Sequence, residues 1–139
     1  YRLSSVYGPG NYLHPNAIYN LAKEAIENDS LTIWGKGLRK MQYVYIKDVI
    51  KCILNITKIK RGIYNVCGSE YNTIKQTAEK ISKYFNSKIT MLYEKREGET
   101  LPFMENKKIT KLLNKQIFSD QDQSIQEYLF KIKKNAKAK

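Results

Sequence analysis

Lys36, Arg39 and Lys40 crowd a short segment that contains no acid, and Gly35 and Gly37 permit a tight turn there. Such a cluster is the charge an anionic ligand needs, and equally that of an ordinary solvated face; both readings stand at this point. A second pattern suggests proton transfer. Tyr-x-x-x-Lys strings occur at Tyr19/Lys23, Tyr43/Lys47, Tyr71/Lys75 and Tyr84/Lys88, and a tyrosine beside a lysine can act as a general acid or base. Eleven tyrosines in so lysine-rich a chain produce such strings by chance, so none is assigned a catalytic role. His14, the only histidine, sits among Asn11, Pro15 and Asn16; its neighbours offer no further ligands, so it reads as surface or loop packing. Cys52 and Cys67 fall in apolar segments away from metal-ligand spacing, which predicts buried, reduced thiols.

The elements that hold the basic turn can be read on either side of it. Leu31–Trp34 is a short β-type run, and Tyr43–Ile46 is a second one rich in aromatic and β-branched residues. Asp48 precedes Val49, Ile53 and Ile56 at helical spacing, which predicts a helix capped near Asp48 and running to about Lys58. Upstream, a strand ends in Tyr7 at Gly8-Pro9-Gly10-Asn11, and Pro15 and Asn16 open a helix whose apolar face is Ile18, Leu21, Ala22, Ala25 and Ile26. Asn28-Asp29-Ser30 stops it.

Downstream, Lys60-Arg61-Gly62 turns into a strand over 63–67. Thr73 and Gln76 then form a capping box for a helix reaching Asn86, followed by a strand over 88–93. Glu94–Pro102 is a charged loop. Two helices remain: one over 105–113 with Asn114 as a left-handed C-cap, and one over 124–134 opened by a Ser124/Glu127 capping box. The lysine-rich end, 131–139, is expected to fray.

Composition narrows the partners. The chain has 139 residues, 42% of them hydrophobic, which suits one folded domain and excludes a disordered segment. Its formal net charge of +12 favours an anionic partner, a class that includes phosphate esters, nucleic acid and acidic membranes. No apolar run is long enough to cross a bilayer, no signal-peptide pattern opens the chain, and the two thiols suit a cytoplasmic location.

Strands alternating with helices indicate an α/β architecture with too few strands for a self-sufficient doubly wound sheet. Read in order, Arg2-Leu3-Ser4-Ser5-Val6-Tyr7-Gly8-Pro9-Gly10, LTIWGKG, YVYIKDV, GIYNVCG and REGE resemble the C-terminal half of the extended short-chain dehydrogenase/reductase family, the NAD-dependent nucleotide-sugar epimerases and dehydratases. The resemblance implies a single partial domain over 1–139, comprising the last strands of a Rossmann-type sheet and the small substrate-binding α/β part. It also implies that the glycine fingerprint for the cofactor and the family's Tyr-x-x-x-Lys pair lie upstream of Val6-Tyr7-Gly8-Pro9. All four strings in this chain fall downstream of it. Gly35-Lys36-Gly37 cannot replace the fingerprint, because it lacks the third glycine and lies between two strands.

The same resemblance places Ser4 beside the NAD(P) cofactor and Ser5 beside the substrate, and makes Leu31–Trp34 the wall of the nucleotide base. Trp34 keeps two readings, base wall or core. Relatives have Arg-Asp where this chain has Met41-Gln42, and that arginine holds the diphosphate; Arg39, two residues earlier on the same side of an extended strand, could reach the same phosphate. Arg96 of REGE matches a second diphosphate arginine, whose fork fits two phosphate oxygens while Gly98 allows close backbone approach. Its bland reading is an ion pair with Glu94 or Glu99. The expected partner is a nucleoside-diphosphate sugar, together with self-association or the missing N-terminal half, and with neither specific nucleic acid nor membrane. NAD(P) belongs to the complete parent protein and is not expected to be held by this chain alone, which is not catalytic by itself. The alternatives are a basic nucleic-acid-binding module, against which the absence of RNA- or DNA-binding motifs counts, and a ligand-free interaction module.

Overall fold

The structure, a computed structural model, describes residues 1–10, 15–113 and 117–137. His14 and the expected C-cap Asn114 lie outside the described residues. Two short strands, β1 (Arg2–Leu3) and β2 (Ser5–Tyr7), lead into helix α1 (Ala17–Asn28). Asn16 caps α1: its side-chain oxygen accepts from the Tyr19 N–H at 3.0 Å while its amide donates to the Val6 carbonyl at 3.1 Å, so one residue starts the helix and ties it to β2. Asp29 ends α1 in the left-handed region at φ 50°. The buried face is Ile18, Leu21, Ala22 and Ala25, as the 3.6-residue period requires.

Strands β3 (Ser30–Trp34) and β4 (Lys40–Tyr45) flank the glycine turn, and helix α2 (Ile46–Leu54) follows β4. β4 is central. It pairs in parallel with β2 on one side and antiparallel with β6 (Tyr71–Thr73) on the other. Its alternation is buried on both faces: Tyr43 and Tyr45 join one apolar cluster, built on α1 and the later helices, whereas Val44 joins another with Val49, Cys52 and Val66. β1 pairs in parallel with β5 (Asn65–Val66), and β3 pairs in parallel with β7 (Lys88–Leu92) over five residues. Helix α3 (Ile74–Phe85) lies between β6 and β7 in sequence, and α4 (Lys107–Leu113) and α5 (Gln121–Lys137) complete the chain.

Several local expectations are met. The Thr73/Gln76 capping box opens α3, with the Thr73 hydroxyl accepting from Gln76 N–H at 3.1 Å and the Gln76 side chain accepting from Thr73 N–H at 2.9 Å. Cys52 and Cys67 are free and buried, and burial raises both thiols to about 11.

Others are corrected. α2 starts at Ile46, ahead of Asp48, and ends at Leu54 before a separate 3-10 turn at Ile56–Lys58. Asp48 caps nothing at the helix start; buried to 2% exposure, its carboxylate accepts from Ser119 N–H at 2.8 Å, from the Ser119 hydroxyl at 2.7 Å and from Lys51 Nζ at 2.8 Å. A carboxylate with that many donors holds a distant segment, a role that period alone does not reveal. The strand over 63–67 shortens to Asn65–Val66, while Tyr71–Thr73 is a strand that antiparallel pairing with β4 creates. Ser124 is inside α5, where its hydroxyl meets the Asp120 carbonyl and the Tyr7 hydroxyl; Asp120 accepts from Gln123 N–H at 3.0 Å and supplies the start signal. α5 continues to Lys137, past the expected end at 134, and Ile125, Tyr128, Leu129 and Ile132 bury one of its faces; residues 138 and 139 lie outside the described residues.

Candidate nucleotide-binding site

The basic turn and the charged loop, some 60 residues apart, are built into one structure. Glu97 joins them: one carboxylate oxygen accepts from Lys36 N–H at 2.9 Å and the other from Arg39 N–H at 2.7 Å. Gly35 has φ +61°, and a Cβ there would lie 2.7 Å from the Glu97 side chain, so the close approach requires glycine. The Arg39 Nε donates to the Glu99 carbonyl at 2.8 Å, and Lys40 N–H donates to the Thr100 hydroxyl at 3.0 Å. Gly98 lies against the Arg39 guanidinium, where a Cβ would be 3.0 Å from a terminal nitrogen. The acid-free turn therefore obtains its acid from the loop, through the backbone.

These contacts wall a cavity of about 240 Å³. Ala17 and Leu21 of α1 and Ile74 of α3 give it apolar surface; Thr32 and Trp34 of β3 form one side, and Arg39, Glu97 and Gly98 another. Asn20 and Glu24, one helical turn apart on α1, complete the lining. Glu24 is half-buried and accepts from Thr32 N–H at 2.7 Å through one carboxylate oxygen. With its Nε occupied, Arg39 keeps both terminal guanidinium nitrogens without a hydrogen-bond partner among the described residues. An arginine in that state, always charged, is a fork for a carboxylate or phosphate.

The expected site residues divide. Trp34 and Arg39 meet at the cavity, and Trp34 is 57% exposed, which removes the core reading. Met41 is buried with Leu21 in the main apolar cluster, so no charge occupies its position. Arg96 is exposed and outside the cavity lining, although it directly precedes Glu97; it makes no ion pair with Glu94 or Glu99. Ser4 and Ser5 are at the β1/β2 junction, away from that lining. The Ser4 hydroxyl is buried with no partner among the described residues, an unsatisfied group that fits a cofactor or another chain segment supplying the missing hydrogen bond.

The tyrosines of three of the Tyr-x-x-x-Lys strings are buried or engaged elsewhere. Tyr43 is 1% exposed, burial pushes its hydroxyl up to about 12, and Lys47 is engaged by Glu127. Tyr71 donates to the Leu101 carbonyl, and Tyr84 packs edge-on against Phe85. Glu24 and Glu97 were missed by sequence reasoning. Glu97 had a signal in its place beside Gly98, opposite a turn lacking acids; Glu24 had none beyond its polar position on an otherwise apolar-faced helix.

Residues 1–67 match the family model described as "NAD dependent epimerase/dehydratase family". Over that stretch the chain is similar to the NAD-dependent epimerases and dehydratases. The same fold is found in dTDP-glucose 4,6-dehydratase from Bacillus anthracis in complex with NAD (TM-score 0.83, 21% identity, 98% of this chain and 44% of that one). It is found also in UDP-glucuronic acid 4-epimerase from Bacillus cereus in complex with UDP-glucuronic acid and NAD (0.78, 23%, 96% and 44%), and in a GDP-L-fucose synthetase from Naegleria fowleri (0.79, 19%, 97% and 45%). The chain spans less than half the length of each of these structures. No curated protein matches it. Among the described residues no helix is long and apolar enough to cross a membrane, and no group of three His, Cys, Asp or Glu could hold a metal ion.

Proposed function

We propose that this chain is the nucleotide-sugar-binding portion of an NAD(P)-dependent epimerase or dehydratase, and that residues 1–139 form one partial domain of it. The observation that carries the reading is the cavity lined by Arg39, which Glu97 and Glu99 fix and whose two terminal guanidinium nitrogens have no partner among the described residues, beside apolar surface from Ala17, Leu21 and Ile74. An anionic group joined to a flat, partly apolar one suits both features, and a nucleoside diphosphate is such a ligand. Arg39 takes the phosphate role that Met41 cannot, Trp34 stands against the base, and Arg96, exposed on the adjoining loop, is available to an outer phosphate or the sugar. Ser5 lies toward the sugar, and Ser4 donates to or accepts from the cofactor. The cofactor supplies hydride transfer when bound; this chain contributes only the Ser4 side of its site.

Calorimetry separates the parts of this reading. A nucleoside-diphosphate sugar is expected to bind the 139-residue chain, whereas NAD is expected to show no micromolar binding and no sugar is expected to be epimerised, because the sequence holds no complete G-x-G-x-x-G pattern for the pyrophosphate; Gly8-Pro9-Gly10, between β2 and α1, has no third glycine. Micromolar NAD binding or turnover by the isolated chain would overturn the assignment as half of a site. The exposed Leu3, Ile53, Leu54, Ile56 and Ile63 favour self-association or docking of a further segment. Sedimentation is expected to detect dimers or larger species, and a strict monomer at high concentration would contradict this.

A further inference from the structure

Resting on that nucleotide reading, we infer that the cavity selects a guanine nucleotide over a uracil or thymine one, and that Glu24 makes the selection. The cavity holds one cation and two carboxylates, and the carboxylates differ in what they have left to offer. Glu97 has both oxygens taken by backbone N–H groups. Glu24 has one oxygen on Thr32 N–H and the other without a donor among the described residues. A phosphate is repelled by that oxygen and drawn to Arg39, so the anionic end of the ligand belongs at Arg39 and its hydrogen-bond-donating end at Glu24.

The chemistry of the base edges then decides. Guanine presents two adjacent donors, its ring N1–H and its exocyclic amino group, and both can converge on the free Glu24 oxygen without turning a base oxygen toward it. Uracil and thymine present a single imide N–H between two carbonyls, which brings two oxygens of partial negative charge toward the carboxylate. Asn20, one turn earlier on α1, can donate to a purine carbonyl or ring nitrogen. Exposed Trp34 at the cavity provides an aromatic face for the larger purine ring.

The test is a titration of the chain with GDP, UDP and dTDP at fixed ionic strength, repeated with Glu24→Gln. Glutamine keeps an acceptor for Thr32 N–H while replacing the second oxygen by an amide donor. GDP is expected to bind the parent about tenfold or more tightly than UDP or dTDP, in keeping with a charged hydrogen bond. Glu24→Gln is expected to remove most of that preference by weakening GDP and leaving UDP unchanged or tighter. Equal or tighter binding of UDP by the parent overturns the inference and leaves the nucleotide site standing. The parent measurement decides this even if the variant folds poorly. Failure of all three diphosphates to bind overturns both readings.

Discussion

Asp48→Ala is expected to destabilise the fold by about 3 kcal/mol, the range seen when a buried charged network loses one member. Asp48 is the most buried charged side chain among the described residues, and it holds three donors: the Ser119 N–H and hydroxyl, and Lys51 Nζ. Alanine leaves the Ser119 N–H unpaired at a place where α2 meets the segment leading into α5, and what then ties the two regions there is Lys51 Nζ, through longer contacts to the Ile117 carbonyl at 3.4 Å and the Ser119 hydroxyl at 3.5 Å. The loss is sharper than a surface ion pair would give; exposed Lys23–Glu27 is worth less than about 1 kcal/mol by comparison. Urea unfolding reads the difference as a lower midpoint with unchanged slope. A midpoint within experimental error of the parent's would show that Ser119 finds other partners and that the segment before α5 is not anchored by Asp48.

The second large effect concerns the two arginines. Arg39→Ala is expected to weaken nucleoside-diphosphate binding about ten- to a hundredfold, because a charged hydrogen-bonding partner contributes roughly 1.5–3 kcal/mol. Its fixed Nε and its position in the cavity lining make it the more preorganised of the two. Arg96→Ala is expected to weaken a nucleoside-diphosphate sugar by a similar or smaller factor, since Arg96 must be ordered from an exposed position before it can act. Lys23→Ala, on the outer face of α1, is the control. All titrations need one ionic strength, because a chain of net charge +12 attracts any diphosphate at low salt. If Arg39→Ala binds as well as the parent while Lys23→Ala binds more weakly, general charge explains the attraction and the cavity does not.

What the sequence disclosed about the fold follows from how local each signal is. The Asn16 start of α1, its Asp29 stop and the Thr73/Gln76 box are written within a few residues, and each appears where its pattern places it. Strand β6 was invisible because Tyr71–Thr73 has no strand-like run of its own and depends on β4. The start of α5 was misplaced because Ser124 and Glu127 imitate a capping box three residues inside the true helix, where Asp120 competes with the same chemistry. At the candidate site, the basic turn with Arg39 and the loop with Arg96 were legible and their arrangement was not. Glu97 reaches Lys36 and Arg39 through backbone N–H groups, which every residue possesses and no residue type announces. Arg96 was legible as a pattern, yet the loop geometry turns it outward and gives the cavity to its neighbour Glu97.

The position of a bound nucleotide is the most direct question to put to this account, and amide and indole chemical shifts followed by NMR during titration with a nucleoside diphosphate answer it. The account predicts changes concentrated at Leu21, Glu24, Thr32, Trp34, Arg39 and Gly98, saturating together at physiological salt. A second cavity, of about 690 Å³ and lined by Lys60, Lys107, Lys108 and Lys111, offers the competing location. Changes confined to those lysines, or spread over the basic surface and abolished by salt, would contradict a nucleotide site between α1, β3 and the 94–100 loop.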